Sequence, residues 1–321
     1  MKYTVVGDPH LRPDNLAKIG TLFRIIEELG NPVIVLGDTL DTKEVIRGRC
    51  LNSLHEQLQA SKLKWIFLIG NHCWFNLECK EHSLEVLKNL PHVTIVDRPT
   101  RGFLGDVPTL MLPYIHDLEE FRKEITSWPA AKVLLMHQGV TGFDYGNGFI
   151  AENEIDLKEL KKFKRVISGH FHKRQEKGNL VYPGTPFSHS FGESNQKKYL
   201  AVLDTDTLEL EFGETPFPQH LTVDIDCDRD TTYLLKALIE DQPQHHVRAI
   251  LHGSQEAINR LDKTQFQGVK FIERPSAGVE TEVAVSETDS NEAKFQKWAS
   301  EIKKLDSDTI QLGVDILREV Q

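Results

Sequence analysis

Four apolar runs in this chain stop at a glycine, and each glycine is followed at once by a carboxylate, an amide or an imidazole. They are YTVVGD (3–8), PVIVLGD (32–38), KWIFLIGN (64–71) and FKRVISGH (163–170). A polar side chain at the tip of a buried strand is costly unless something uses it. Between and after these runs lie helical patterns. NLAKIGTLFRIIEELG (15–30) has apolar residues at helical spacing and a glycine stop, VIRGRCLNSLHEQLQAS (45–61) is a second helix, and EHSLEVLKNL (81–90) is a third, closed by Pro91. LEEFRKEITSW (118–128) is a fourth, while VTIVD (93–97) and AKVLLMHQG (131–139) read as further strands. Strands alternating with helices, and apolar along nearly their whole length, predict βαβ units and a sheet covered on both faces. The carboxyl ends of such strands share one edge, where ligand sites form.

From about residue 178 the texture changes. NLVYPGTP (179–186), KKYLAVLDTDT (197–207) and LELEFGE (208–214) predict consecutive antiparallel strands and a second sheet packed on the first. The expected division is a large domain over 1–215, a small α/β unit over 216–275, a linker over 276–292 and helices over 293–321. The linker is acidic and serine-rich, which predicts flexibility. In the tail Phe295, Trp298, Ile302 and Leu305, then Ile310, Val314, Ile316 and Leu317, form apolar faces. Such a face needs cover, from a partner or from the chain's own domain.

The formal net charge of −10 argues against indiscriminate binding to nucleic acid, without excluding a local site. Cys50, Cys73, Cys79 and Cys227 form no CxxC pair, so free thiols in a reducing compartment are expected. No secretory signal or membrane-length apolar stretch is visible, and a soluble, cytoplasmic protein is expected.

The strand ends supply metal-ligand chemistry: Asp8 and His10 from GDPH, Asp38 and Asp41 from GDTLD, Asn71 and His72 from GNHC, His137 from MHQG, and His170 and His172 from GHFH. A set of carboxylates, imidazoles and one amide oxygen suits manganese, iron or zinc better than calcium. So many donors exceed one four-coordinate site. Two metals sharing a carboxylate is the economical arrangement, and such pairs, about 3.5–4 Å apart, clamp a phosphoryl group during in-line attack by water.

In this order D-x-H, GDxxD, GNH, H and GHxH, spanning residues 8 to 172, resemble the calcineurin-type metallophosphoesterase family. The resemblance implies an α/β (α+β) fold, a two-sheet sandwich flanked by helices. It implies that Asp8, His10, Asp38 and His172 hold one metal. Asp38, Asn71, His137 and His170 would hold the other, with Asp38 bridging. His72 matches a non-ligand histidine that faces the phosphate and protonates the leaving oxygen. Asp41 is expected to orient a ligand or His72.

Downstream, GHFHKRQ, LVYPGTPFSHSFGE and KKYLAVLD resemble the SbcD branch, nucleases that act at DNA double-strand breaks. That likeness implies a manganese-dependent (or magnesium-dependent) exonuclease and endonuclease in recombination, repair or replication. It implies a small capping domain over 216–275 and C-terminal helices that dock on SbcC, a coiled-coil ATPase. It also implies a homodimer within a heterotetramer. The chain is shorter than many cellular members, which fits a phage-encoded version working in host cytoplasm. The rival expectations are a phosphodiesterase or phosphatase for small phosphoesters, and a non-catalytic scaffold. KKFKR (161–165) and HKR (172–174) flank the GHFH strand and are candidate phosphate contacts. One position departs from the family pattern. Cys73 follows GNH where an acid is usual, and a thiol cannot support His72 as a carboxylate does.

Overall fold

The computed structural model describes residues 1–319 except 44, 77, 147, 230–231, 242–243, 277–289 and 303–304. The strands of the large body are β1 (Lys2–Val6), β2 (Val33–Val35), β3 (Trp65–Leu68), β4 (Val93–Val96), β5 (Thr100–Leu104), β6 (Val107–Met111), β7 (Val133–His137), β8 (Arg165–Gly169), β9 (Gln175–Lys177), β10 (Leu180–Tyr182), β11 (Tyr199–Asp204) and β12 (Leu210–Glu214). Helices α1 (Leu16–Leu29), α2 (Gly48–Ala60) and α3 (Leu118–Thr126) accompany them. Six strands form one sheet in the order β12-β11-β1-β2-β3-β4, and six form a second in the order β5-β6-β7-β8-β10-β9.

The near-continuous apolar strands have a direct cause. Val33 and Val35 join Ile19, Leu22, Phe23 and Ile26 of α1 and Leu54 and Leu58 of α2 in one core. The alternating residues Ile34 and Leu36 point the other way and meet Val133, Leu135 and Ile167 of the opposite sheet. Phe121 and Ile125 of α3 cover the outer face of the second sheet with Leu134, Met136 and Val166. The result is a helix–sheet–sheet–helix sandwich, the expected fold class. Because side chains alternate across a strand, both faces must be apolar when both are covered.

Three elements differ from expectation. Residues 81–90 contain only a short 3-10 segment, Glu85–Asn89. The backbone before it pairs instead with the loop after β3: Phe75 N–H donates to Glu81 O at 3.0 Å and Ser83 N–H to Cys73 O at 3.0 Å. The antiparallel pair β11–β12 belongs to the first sheet, where β11 flanks β1 with Lys2 opposite Asp204. The second sheet is completed instead by the β5–β6 hairpin, in which Pro108 stands opposite Phe103 and obscures the strand pattern.

By packing, the chain divides into two compact units. One is Met1–Val223 with Lys236–Ala249 and Gly268–Lys270, and the other is Asp224–Leu235 with Ile250–Gln267 and Phe271–Gln321. A three-stranded sheet of β13 (His220–Asp226), β14 (His246–Gly253) and β15 (Lys270–Pro275) runs in that order, with α4 (Thr232–Asp241) and α5 (Gln255–Arg260) between its strands. The tail holds α6 (Asn291–Lys297), a π-helical segment Trp298–Ile302 and α7 (Ser307–Glu319). There Ala299 and Val314 are buried, and a methyl group added to Gly313 would strike the Phe295 ring. Trp298, Leu305 and Leu312 remain exposed. Most of the expected linker, 277–289, and the side chains of Ile302, Ile316 and Leu317 lie outside the described residues. No described helix is long and apolar enough to cross a membrane.

Candidate metal centre

The parallel pairing of β1, β2 and β3 puts Val6 opposite Val35 and Val35 opposite Phe67, so their carboxyl ends lie side by side. In the other sheet His137 pairs with Gly169. Asp8, His10, Asp38, Asn71, His72, His137, His170 and His172 therefore emerge from five strand ends along one edge of the sandwich. The chain bends sharply there. His10, Asp38 and His170 adopt positive φ values of 42°, 43° and 91°. Such conformations cost about 1–3 kcal/mol each and persist where the surroundings enforce them. Gly37, at φ 118°, and Gly70 allow the close approach: a methyl group on Gly37 would strike the His137 ring, and one on Gly70 would strike the Asp38 carboxylate.

The two innermost carboxylates are held alike. Asp38 Oδ1 accepts from His72 N–H at 2.8 Å, and Asp8 Oδ1 accepts from His170 N–H at 2.8 Å. Each keeps its second oxygen for the centre. Asp38 Oδ2 lies 3.3 Å from His137 Nε2 and 3.7 Å from His10 Nε2. Asp8 Oδ2 is buried without a hydrogen-bond partner.

The imidazoles are oriented from behind. His137 Nδ1 sits 2.8 Å from Leu36 O, and His172 Nδ1 sits 2.7 Å from Glu193 Oε1. These acceptors fix the proton on Nδ1 and turn the Nε2 lone pair inward. His10 Nε2 and His172 Nε2 face each other at 3.1 Å. Asn71 Oδ1 lies 3.0 Å from His137 Nε2 and 3.1 Å from His170 Nδ1. Acceptors thus converge on acceptors, and an unpaired buried carboxylate oxygen joins them. Donors arranged this way fit divalent cations.

The electrostatics point the same way. Burial raises the Asp8 carboxyl above its ordinary range. Burial opposes ionisation of Asp38 too, but His137 beside it holds that carboxyl well below its ordinary range. Burial alone would lower His137, yet Asp38 and Asp8 push it up to about 9. Burial and the His137 charge push His170 down to about 3. The carboxylates demand positive charge at this spot.

Asp8, Asp38 and His137 offer ligand atoms all within 4.8 Å of one another. Among the described residues His82, Glu85 and Asp97 form a second such group. There Lys88 Nζ already lies 2.7 Å from Glu85 and 2.6 Å from Asp97, so an ammonium supplies the cation.

The expected site residues come together, and Asp41 does two jobs. Its carboxylate lies 3.5 Å from His10 Nδ1, and its backbone oxygen lies 2.8 Å from His72 Nδ1. Cys73 takes no part. It is fully buried in the apolar core under α1 and α2, and burial pushes its thiol up to about 12. The basic stretches differ from expectation. KKFKR leads into the start of β8, the end away from the site, and Arg165 pairs with Glu176 at 2.8 Å. Lys173 pairs with Asp144 at 2.7 Å, and Arg174 lies over the Phe212 ring at 4.0 Å.

The loop after β10 lies in LVYPGTPFSHSFGE, a stretch whose pattern does not by itself mark Glu193 or His189 as site residues. Glu193 there is buried and holds His172 with one oxygen and Lys198 Nζ, at 2.7 Å, with the other. His189 Nε2 lies 3.2 Å from Asp8 O, and its ring packs against those of His10 and His172. The signal available was FGE itself, an acid closing that stretch, with Lys197 and Lys198 a few residues on.

Residues 1–174 match the family described as calcineurin-like phosphoesterase. The chain is 26% identical over 286 residues to protein 244L of Invertebrate iridescent virus 6, which carries a phosphoesterase name, across 82% of this chain and 98% of that one. It is 31% identical over 231 residues to protein 078R of Invertebrate iridescent virus 3, also named as a phosphoesterase, across 65% of this chain and 64% of that one. It is 28% identical over 187 residues to "Exonuclease subunit 1" of Enterobacteria phage T4, across 56% of this chain and 54% of that protein's length.

Proposed function

Because this chain belongs to the calcineurin-like phosphoesterase family, whose members use divalent metals, we propose that it is a DNA nuclease, the SbcD-type subunit of an SbcCD-like complex. The observation that carries the nuclease reading is the similarity to the phage T4 exonuclease subunit, which extends to residues beyond any one motif. Asp8, His10, Asp38 and His172 would hold one ion, and Asp38, Asn71, His137 and His170 the other, with manganese the expected metal and magnesium the alternative. Bound there, divalent ions supply Lewis acidity toward a phosphoryl oxygen and lower the pKa of water.

The chain's own residues do the rest. The backbone donors of His72 and His170 hold the two carboxylates in place. Glu193 and Leu36 O fix the tautomers of His172 and His137. His72 donates its Nδ1–H to the Asp41 carbonyl, and with both ring nitrogens protonated its Nε2–H would pass to the departing oxygen of a phosphodiester, leaving the neutral imidazole. On this reading residues 1–215 are the nuclease domain and 216–275 the cap. Residues 276–292 are a linker, and 293–321 dock on an SbcC-like coiled-coil ATPase, two copies of each assembling in the host cytoplasm. The exposed Trp298, Leu305 and Leu312 support the docking role.

A phosphodiesterase for small esters is the second reading, favoured by the near full-length match to the viral protein named as a phosphoesterase. Purified protein with Mn²⁺ separates the two on linear duplex DNA and a chromogenic phosphodiester. The nuclease reading expects cleavage of the DNA, abolished in His137→Ala. Turnover of the chromogenic ester with no DNA cleavage, with or without a coiled-coil ATPase, overturns it.

A further inference from the structure

We propose that the cleft beside Asn71 is a subsite for a nucleobase, that of the nucleotide adjoining the scissile phosphate; this inference rests on the nucleic-acid reading above. The cleft has a volume of about 140 Å³, and Lys43, Asn71, Trp74, Phe75, Asn76 and Tyr114 line it. Asn71 borders both this space and the converging donors, since its Oδ1 faces His137 and His170. A group seated in the cleft is therefore a direct neighbour of whatever the donors act on.

The lining suits a flat heterocycle. Three aromatic residues, Trp74, Phe75 and Tyr114, border one small space. Trp74 is only 3% exposed, and its Nε1–H donates to Tyr114 O at 3.1 Å, which locks the two residues together. The Tyr114 ring stacks toward His170, with centroids 6.3 Å apart and planes 26° apart. The aromatic wall thus continues into the donor set. Phe75 is half-buried although it sits in a polar loop, and its backbone is pinned to Glu81. A rigid aromatic surface left partly open to water gains by stacking on a planar partner. At the rim the oxygens of Asn71 and Asn76 are taken, by the donor set and by Glu78 N–H, so their amide N–H groups are what a base edge would meet, and Lys43 offers one cation. A purely apolar ligand would leave those groups unpaired. A second phosphate would meet one ammonium and three rings.

Bases of every type have a π-face, so such a platform holds the strand without reading its sequence. It also gives a negatively charged protein a way to grip a polyanion that does not depend on a basic surface.

The test uses the full chain with Mn²⁺ and single-stranded oligonucleotides cut at a defined bond. Each intact strand is compared with one carrying an abasic residue next to that bond. The wild type is expected to cut the intact strand about 10-fold faster. Phe75→Ala should lose most of that preference, and Phe75→Trp should keep it. Equal rates on intact and abasic strands with the wild type overturn the proposal whatever the variants do. Full preference in Phe75→Ala overturns it too. A wild type that cuts no strand yet hydrolyses a chromogenic phosphodiester overturns the nuclease reading instead.

Discussion

His72 is the residue on which the proposed chemistry turns, because it stands among the donors without competing for their place. Its backbone N–H holds Asp38 and its Nδ1 meets the Asp41 carbonyl. Replacing the ring with a methyl group removes a proton donor and leaves both carboxylates oriented. His72→Ala is expected to lower kcat by about 10²–10⁴-fold while the bound metal stays at the wild-type level. Steady-state kinetics with elemental analysis of the dialysed protein checks this, and a variant that loses metal along with activity would place His72 among the ligands. The neighbour that looked like a defect in the sequence has a plain role. A buried Cys73 fills the core, and the support expected from an acid at that position comes from the Asp41 backbone. The ligand-type residues were legible because the chemistry restricts them to a few residue types and glycine marks the strand ends. Glu193 was not, because its role exists only once the loop after β10 folds back onto His172.

At the level of elements, what periodicity predicted held where a face had to be buried and failed where backbone pairing decided. Leu84, Leu87 and Leu90 are spaced as in a helix and are buried as a helix would bury them. The preceding residues nonetheless pair with the loop after β3, so only one 3-10 segment forms. Membership of β11 and β12 in the first sheet was hidden for another reason, since such pairing is set by partners far away in sequence. The start of β13 gives a pH test. Burial, with His246 close by, pushes His220 down to about 4, and its Nδ1 lies 2.8 Å from the Ser188 hydroxyl. A histidine lowered in the folded state binds fewer protons there than in the unfolded chain. Its stabilising contribution is complete above pH 6.5 and declines as pH falls toward 4. Because the ring is only half-buried, solvent screening reduces the effect to about 1 kcal/mol. Urea unfolding of wild type and His220→Gln between these limits should show a shallower slope in the variant; identical slopes would rule out this role for His220.

For the whole molecule, the donors belong to the large unit, whereas the exposed apolar side chains of the tail belong to the other. Removing residues 290–321 should therefore leave hydrolysis of a small phosphodiester within about twofold of wild type and abolish co-purification with a coiled-coil ATPase. Retained association would move the docking surface elsewhere. The strand order carries one more consequence, this time for how the protein is made. The central strand β1 is flanked on one side by β2 and on the other by β11, which pairs Lys2 with Asp204. The first sheet is consequently incomplete until β11, some two hundred residues after β1, has been synthesised, and contacts so distant in sequence form slowly. Asp8 is made long before His172, and His172 is oriented by Glu193, which is made later still. Acquisition of the metal would then mark the end of folding rather than guide its beginning, and a nascent chain arrested before Glu193 would remain inert.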